Sequence, residues 1–290
     1  MVQLTNFFLG CAIWAYKDWV GNLFPKGTKA ADFLQLYSRR FTTVEGNTTF
    51  YSIPDAATVE RWAAQTPDGF QFCLKLPRSL THQGRLADQV GGAIAFLQQM
   101  QGLGDRLGPL FAQLPPSYSP GQFADLAEFL RAFPRDQARL ALEVRHPAWF
   151  QEPHAERLNG LLSELGMGRV LLDTRPIYDG PDDPQLHSER KKPRLPLHPE
   201  LTAEFSLIRY ISHPQMERNQ GFLAEWVERV EGWLRQGKQI YFFVHCPVEE
   251  RSPDNARRFQ RLLEEAGVEV PALPWDGVEG EEVVSQLSLF

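Results

Sequence analysis

The chain has 290 residues, 43% of them hydrophobic. Its length is about twice a typical domain, so two domains or one large α/β barrel both fit, and global disorder is excluded. Thirty Lys+Arg against 36 Asp+Glu give a formal charge of -6, which argues against a general nucleic-acid coat while allowing a local basic pocket.

Strand-like runs come in chain order at 7–13, 41–47, 70–76, 108–114, 139–145, 169–174, 205–211 and 239–246. Most are rich in β-branched and aromatic residues and bounded by Gly, Pro or polar turns. Helical stretches lie between most of them. In 221–236, Phe222, Leu223, Trp226, Val227, Val230, Trp233 and Leu234 recur at i, i+3, i+4 and i+7, which puts them on one face. Phe123, Leu126, Ala127, Leu130 and Phe133 repeat the pattern, as do Ala155, Leu158, Leu162 and Leu165. Ser252 and Pro253 read as the N-cap and first position of a final helix. Eight strands alternating with helices predict an α/β fold of the (β/α)8 TIM-barrel type, in one domain over residues 1–270. An open doubly wound sheet is the alternative, but no GxGxxG follows the first strand.

Two regions break the rhythm. Residues 176–200 hold several prolines and the basic run 189–194. They predict a long loop-like connection after strand 6, either a lid over the active-site mouth or a mobile insertion. From about 271 to 290 the chain carries Pro271, Pro274 and an acidic run from Asp276 to Glu282. This stretch is expected to hang off the barrel as a flexible tail.

The longest apolar run, 7–16, is well short of the ~20 residues of a membrane span. Lys17 and Asp18 follow it where a signal-peptide cleavage site would need small residues. A cytoplasmic protein is expected. Cys11, Cys73 and Cys246 are odd in number and lie in strand-like runs, which suggests buried reduced thiols. No CxxC pair offers a cysteine zinc site.

Strand side chains alternate between faces. The parity that turns apolar residues toward the helices turns a ring of polar ones inward. The ring holds Glu45 and Asn47, Lys75, Gln113, Glu143 and Arg145, Asp173 and Arg175, Arg209, and His245. Burying so many charges without a function is expensive. Carboxylates (Glu45, Glu143, Asp173) are outnumbered by cations (Lys75, Arg145, Arg175, Arg209, with Arg78 nearby). His82, His146, His213 and His245 stand near strand ends. A metal site favours carboxylates and histidines with few competing cations, whereas arginine forks suit phosphate or carboxylate oxygens. The expected ligand is therefore a small anion, held by Asn47, Lys75, Arg78, Gln113, Arg145, Arg175, Arg209 and His213. The sequence requires no cofactor and leaves room for a divalent metal. In an enzyme, a hydrolase or isomerase, Glu143 or Glu45 is the general base and His245 or His146 the proton shuttle, with Asp173 the third catalytic carboxylate. Carboxylates near Lys75 should raise its pKa, which argues against an imine-forming lysine.

The segments 14–25, 44–51, 61–78, 107–118, 143–150, 173–176 and 255–259 resemble the bacterial YecE-like family, from about residue 7 to 265. Gly46 departs from it, since the family tends to carry a larger apolar residue there. The resemblance implies the TIM-barrel fold and brings no established reaction and no catalytic residues.

The last five residues, Gln286, Leu287, Ser288, Leu289 and Phe290, resemble the pentapeptide by which bacterial replication and repair proteins dock on the sliding clamp. Two leucines and a Phe would enter an apolar groove while the Gln amide fixes register. Three functions follow as expectations: an enzyme acting on an anionic small molecule or nucleic-acid fragment; a clamp-associated DNA repair or replication factor of metal-dependent nuclease type; and a non-catalytic anion-binding module.

Overall fold

The computed structural model describes residues 6–180, 182–186 and 191–275. Eight strands follow one another as β1 (Phe7–Cys11), β2 (Thr43–Gly46), β3 (Gln71–Leu74), β4 (Leu110–Gln113), β5 (Leu140–Glu143), β6 (Gly168–Asp173), β7 (Phe205–Ile211) and β8 (Gln239–His245). Between and after them come α1 (Phe33–Tyr37), α2 (Ala56–Gln65), α3 (Arg78–Thr81), α4 (Val90–Met100), α5 (Phe123–Ala132), α6 (His154–Leu165), α7 (Arg175–Tyr178), α8 (Gln220–Arg235) and α9 (Ser252–Glu265).

Every ladder is parallel. Six strands form one sheet in the order β1-β8-β7-β6-β5-β4, and β2 pairs with β3. Backbone hydrogen bonds also link the edges of the two sheets. Thr42 N donates to Leu9 O at 3.2 Å, Gly108 N to Phe72 O at 3.0 Å, and Leu76 N to Phe111 O at 2.9 Å. Gly10 permits the first of these approaches. A Cβ there would lie 1.9 Å from Thr43 O, so no residue with a side chain fits without moving β2.

The strands are buried on both faces, as parallel strands between two apolar layers must be. One face packs on the helices. From α8 it takes Leu223, Trp226, Val227 and Val230, on the spacing expected from sequence. The other face gathers Phe8, Cys73, Phe111, Ala141, Val170, Phe205, Leu207, Tyr241 and Phe243 into a separate interior cluster, with Phe8 and Tyr241 stacked at 4.8 Å. The three cysteines are buried and unpaired, and burial pushes each thiol up. Pro253 sits in the first turn of α9, where its missing N–H costs nothing, and the cap is Arg251 rather than Ser252. Among the described residues no helix is long and apolar enough to cross a membrane.

After the short α7, no helix forms among the described residues before β7. The described residues of this connection are anchored. Leu195 is buried against Leu172, Ile177 and Ile211, Lys192 N donates to Gln185 Oε1 at 2.6 Å, and the Tyr178 hydroxyl donates to Lys192 O. The start of the expected tail differs from its reading. Leu273 and Trp275 are buried, with Trp275 edge-on to Phe41 at 5.6 Å and under the Arg257 guanidinium. Burying that indole holds 271–275 on the body, so the packed unit runs past residue 270. The acidic run from Asp276 and the pentapeptide at 286–290 lie outside the described residues.

Candidate functional site

Six strands bring a polar side chain to the interior face near their C-terminal ends. Glu45, Glu143, Arg209 and His245 are each 2% exposed or less, and Lys75 and Gln113 are also buried. Alternation puts them there, because Val44, Leu142, Ile208 and Val244 beside them pack into the helix-facing core.

Arg209 is the centre of this cluster. Its Nε and Nη2 donate to the two oxygens of Glu45 at 2.8 and 2.9 Å, and Nη1 donates to Glu143 Oε2 at 2.5 Å. Asn47 Nδ2 adds a bond to Glu45 Oε1 at 2.6 Å, and His245 Nε2 lies 2.9 Å from Glu45 Oε2. All four strong acceptor positions of Glu45 are thus filled. Glu143 Oε1 accepts from Arg145 Nε at 2.7 Å. Burial works to raise the Glu45 carboxyl, but Arg209 and His245 overcome it and hold it well below the usual range. At Glu143 burial is likewise outweighed by Arg209 and Arg145, and the pKa falls to about 2. The same carboxylates raise Arg209 against its own burial.

His245 behaves as a neutral ring. Burial, with Lys192 and Arg209 against the pull of Glu45, lowers it to about 4. An ionised Glu45 can only accept, so Nε2 carries the hydrogen and Nδ1 is left as an acceptor. Lys192, from the β6–β7 connection, places Nζ 3.5 Å from that Nδ1. Burial and Arg209 bring Lys192 down to about 8.

Lys75 reverses its expectation. Its Nζ donates to the neutral amide oxygen of Gln113 at 2.8 Å and sits 3.8 Å from the Phe50 ring centroid. Among the described residues no carboxylate stands within ion-pairing distance of it, because Arg209 and Arg145 occupy Glu45 and Glu143. Burial, then Arg209, bring it down to about 7 against the weaker pull of Glu143. The sequence shows which charges are present, but the sign of the shift depends on which of them lies closest.

Other expected site residues go elsewhere. Asp173 faces the helices, not the interior. Its carboxylate accepts from Trp226 Nε1 at 2.8 Å and from Arg175 N, Nε and Nη2 at 2.9–3.0 Å. Arg175 also pairs with Glu225 at 2.8 Å. The inward residues of β6 are apolar Val170 and Leu172. His146 caps the turn at Pro147–Phe150 by accepting from Ala148 N. His213 accepts from Gln215 N and turns Nε2 to Asp182 at 3.4 Å. Arg78 is exposed at the start of α3. Near the cluster, His82 bonds Thr81 Oγ1 and packs edge-on to Phe50, and burial and Lys75 lower it to about 4.

Sequence reasoning missed three contributors: Phe50, Lys192 and Glu249. Burial pushes the Glu249 carboxyl up to about 8, and among the described residues its Oε1 has no hydrogen-bond partner. Phe50 and Glu249 lie in 3-10 turns and Lys192 lies in a connection, where no periodicity marks them. At Gly46 the room for a larger residue is taken by Leu74, whose Cδ2 would lie 2.4 Å from an added Cβ. Among the described residues no group of three His, Cys, Asp or Glu is arranged to hold a metal.

Comparison with known proteins agrees with the sequence resemblance. The model of the family described as protein of unknown function DUF72 matches residues 8–277. The UPF0759 protein YecE of Escherichia coli K12 is 34% identical over 278 residues, covering 92% of this chain and 97% of the relative. The UPF0759 protein YunF of Bacillus subtilis is 22% identical, covering 89% and 94%. A DUF72 family protein of Thermotoga maritima superposes with a TM-score of 0.69 at 25% identity, over 89% of this chain and 99% of that one. One from Enterococcus faecalis gives 0.69 at 18%, over 89% and 95%, a likeness of fold alone. Fold, family model and relatives agree, and the chain belongs to the DUF72 family of proteins of unknown function.

Proposed function

We propose that the eight strands form a (β/α)8 barrel and that its C-terminal mouth binds a small anionic ligand. The hydrogen bonds and bridges joining β1 to β2 and β3 to β4 support the barrel. One observation carries the ligand reading. Both carboxylates of the cluster are already committed to Arg209, while Lys75 and Lys192 approach it without a carboxylate of their own among the described residues. Among the described residues Arg145 spends only Nε, on Glu143, so its terminal amino groups can meet an incoming oxyanion. A metal ion would have to displace guanidinium groups from both carboxylates, which favours the anion over a metal-dependent nuclease. An amine near its pKa and a protonated Glu249 suit an isomerase or hydrolase.

The test is sulfate binding by calorimetry, because sulfate does not itself titrate near neutrality. A bound anion favours charged Lys75 and Lys192, whose pKa values without it are about 7 and 8. Affinity should therefore be high at pH 6 and fall as pH rises through 7–8. Arg145→Ala should weaken it. Binding that is absent at pH 6, or unchanged at pH 9, would refute the reading.

The pentapeptide at 286–290 supports a partner as well. All five positions fit the clamp-docking pattern, so we infer a sliding-clamp partner in replication or repair for a cytoplasmic bacterial protein.

A further inference from the structure

We propose that Lys75 is a nucleophile that forms an imine with an aldehyde or ketone carrying its own carboxylate, of the α-oxo acid class. The proposal deepens the anion reading: the carboxylate of the substrate is the anion that the cluster holds.

The amine is placed for this role. Its backbone is fixed at the end of β3, with Lys75 N donating to Gly46 O and Lys75 O accepting from Thr49 Oγ1 at 2.7 Å. Its side chain is buried, and among the described residues its one hydrogen bond goes to the neutral amide of Gln113. A neutral amine bonded once through N–H keeps its lone pair for a carbonyl carbon. Paired lysines lack this freedom: Lys191 is held by Asp183 and Lys238 by Glu204. The low pKa, about 7, leaves roughly half of Lys75 unprotonated at neutral pH, about a thousand-fold more than an ordinary lysine. Arg145, which like Lys75 acts on Glu143, offers its terminal fork to a carboxylate one bond from the carbonyl.

The step balances without an oxidant or reductant. The Nζ lone pair forms the C–N bond and the carbonyl π pair moves to oxygen. That oxygen takes both amine hydrogens in turn and leaves as water, so amine plus carbonyl gives imine plus water.

The test uses the full chain at pH 7 with sodium cyanoborohydride, which reduces and traps the imine, and two probes, glyoxylate and formaldehyde. Peptide mass spectrometry reads the label on every lysine. With glyoxylate, Lys75 should label at least about ten-fold faster than exposed Lys17, after discounting burial. Lys75→Met should lose this label while other lysine peptides keep theirs. Arg145→Gln should slow glyoxylate at Lys75 more than formaldehyde, because both lose the help Arg145 gives in keeping the amine neutral and glyoxylate alone also loses the fork. The wild-type map needs no variant to fold. Labelling of Lys75 no faster than Lys17 by either probe overturns the proposal, and if sulfate still binds, the anion site survives it. Preferential labelling by formaldehyde but not by glyoxylate overturns the substrate class and counts against the anion reading with it.

Discussion

Replacing Arg209 with Met tests the charge balance at the centre of the cluster. The change keeps much of the side-chain volume and removes the group that, among the described residues, touches both Glu45 and Glu143. Removing one partner of a buried ion pair costs about 3–5 kcal/mol, because the charge left behind stays desolvated. Glu143 gives a figure of the same order. The gap between its ordinary 4.5 and about 2, held by Arg209 together with Arg145 and Lys75 against burial, is worth about 3 kcal/mol and belongs to these cations jointly rather than to Arg209 alone. A depressed carboxyl contributes this stability above pH 4.5 and loses it as pH falls from 4.5 through 2. In the variant both carboxyls move up, so the folded state takes up protons earlier and mild acid relieves the strain. Urea unfolding followed by tryptophan fluorescence should show the variant about 3–5 kcal/mol less stable at pH 7, with the gap narrowing by pH 5. Adding Glu45→Gln and Glu143→Gln should recover much of the loss. A difference below about 1 kcal/mol at pH 7, or one that does not narrow with acid, would refute the reasoning.

Asp173→Asn should cost about 2–3 kcal/mol, because an amide N–H would meet the donors of Trp226 or Arg175. Sulfate affinity should stay at the wild-type value, and a change in it would place Asp173 in the binding cluster after all. Gly10→Ala should destabilise by about 3 kcal/mol or more in thermal unfolding, since its Cβ collides with Thr43 O; a loss under about 1 kcal/mol would show that β1 and β2 can part cheaply. Deleting residues 286–290 should abolish capture by a bacterial sliding clamp in a pull-down and leave the melting temperature unchanged. Equal capture by the shortened chain would remove the docking motif from consideration.

How much was legible can be followed residue by residue. The inward set Glu45, Lys75, Gln113, Glu143, Arg209 and His245 follows from period-two alternation, because each has an apolar neighbour that fixes the parity. At β6 that signal fails. Val170, Leu171 and Leu172 are all apolar, and a strand buried on both faces does not say which way Asp173 points. What decided it was the Trp226 N–H on α8, distant in sequence and in need of an acceptor. The sign of the Lys75 shift was hidden for a related reason. Composition counts carboxylates and cations, but the guanidinium groups reach the carboxylates first and leave the amine facing them. Trp275 went unread because a single buried indole beyond a proline has no periodicity to announce it.

The Arg209 contacts have a consequence for how this chain can be divided. Glu45 is 164 positions away in sequence and Glu143 is 66. A cut between β4 and β5 would leave Glu45, Lys75 and Gln113 on one fragment and Glu143, Arg145, Arg209 and His245 on the other. The first fragment leaves Glu45 without its guanidinium partner, and the second sets the guanidinium groups of Arg145 and Arg209 against the single carboxylate of Glu143. The cluster is therefore a property of the reassembled whole. Complementing fragments would recover it together or not at all, and ligand recognition could serve as a reporter of their reunion.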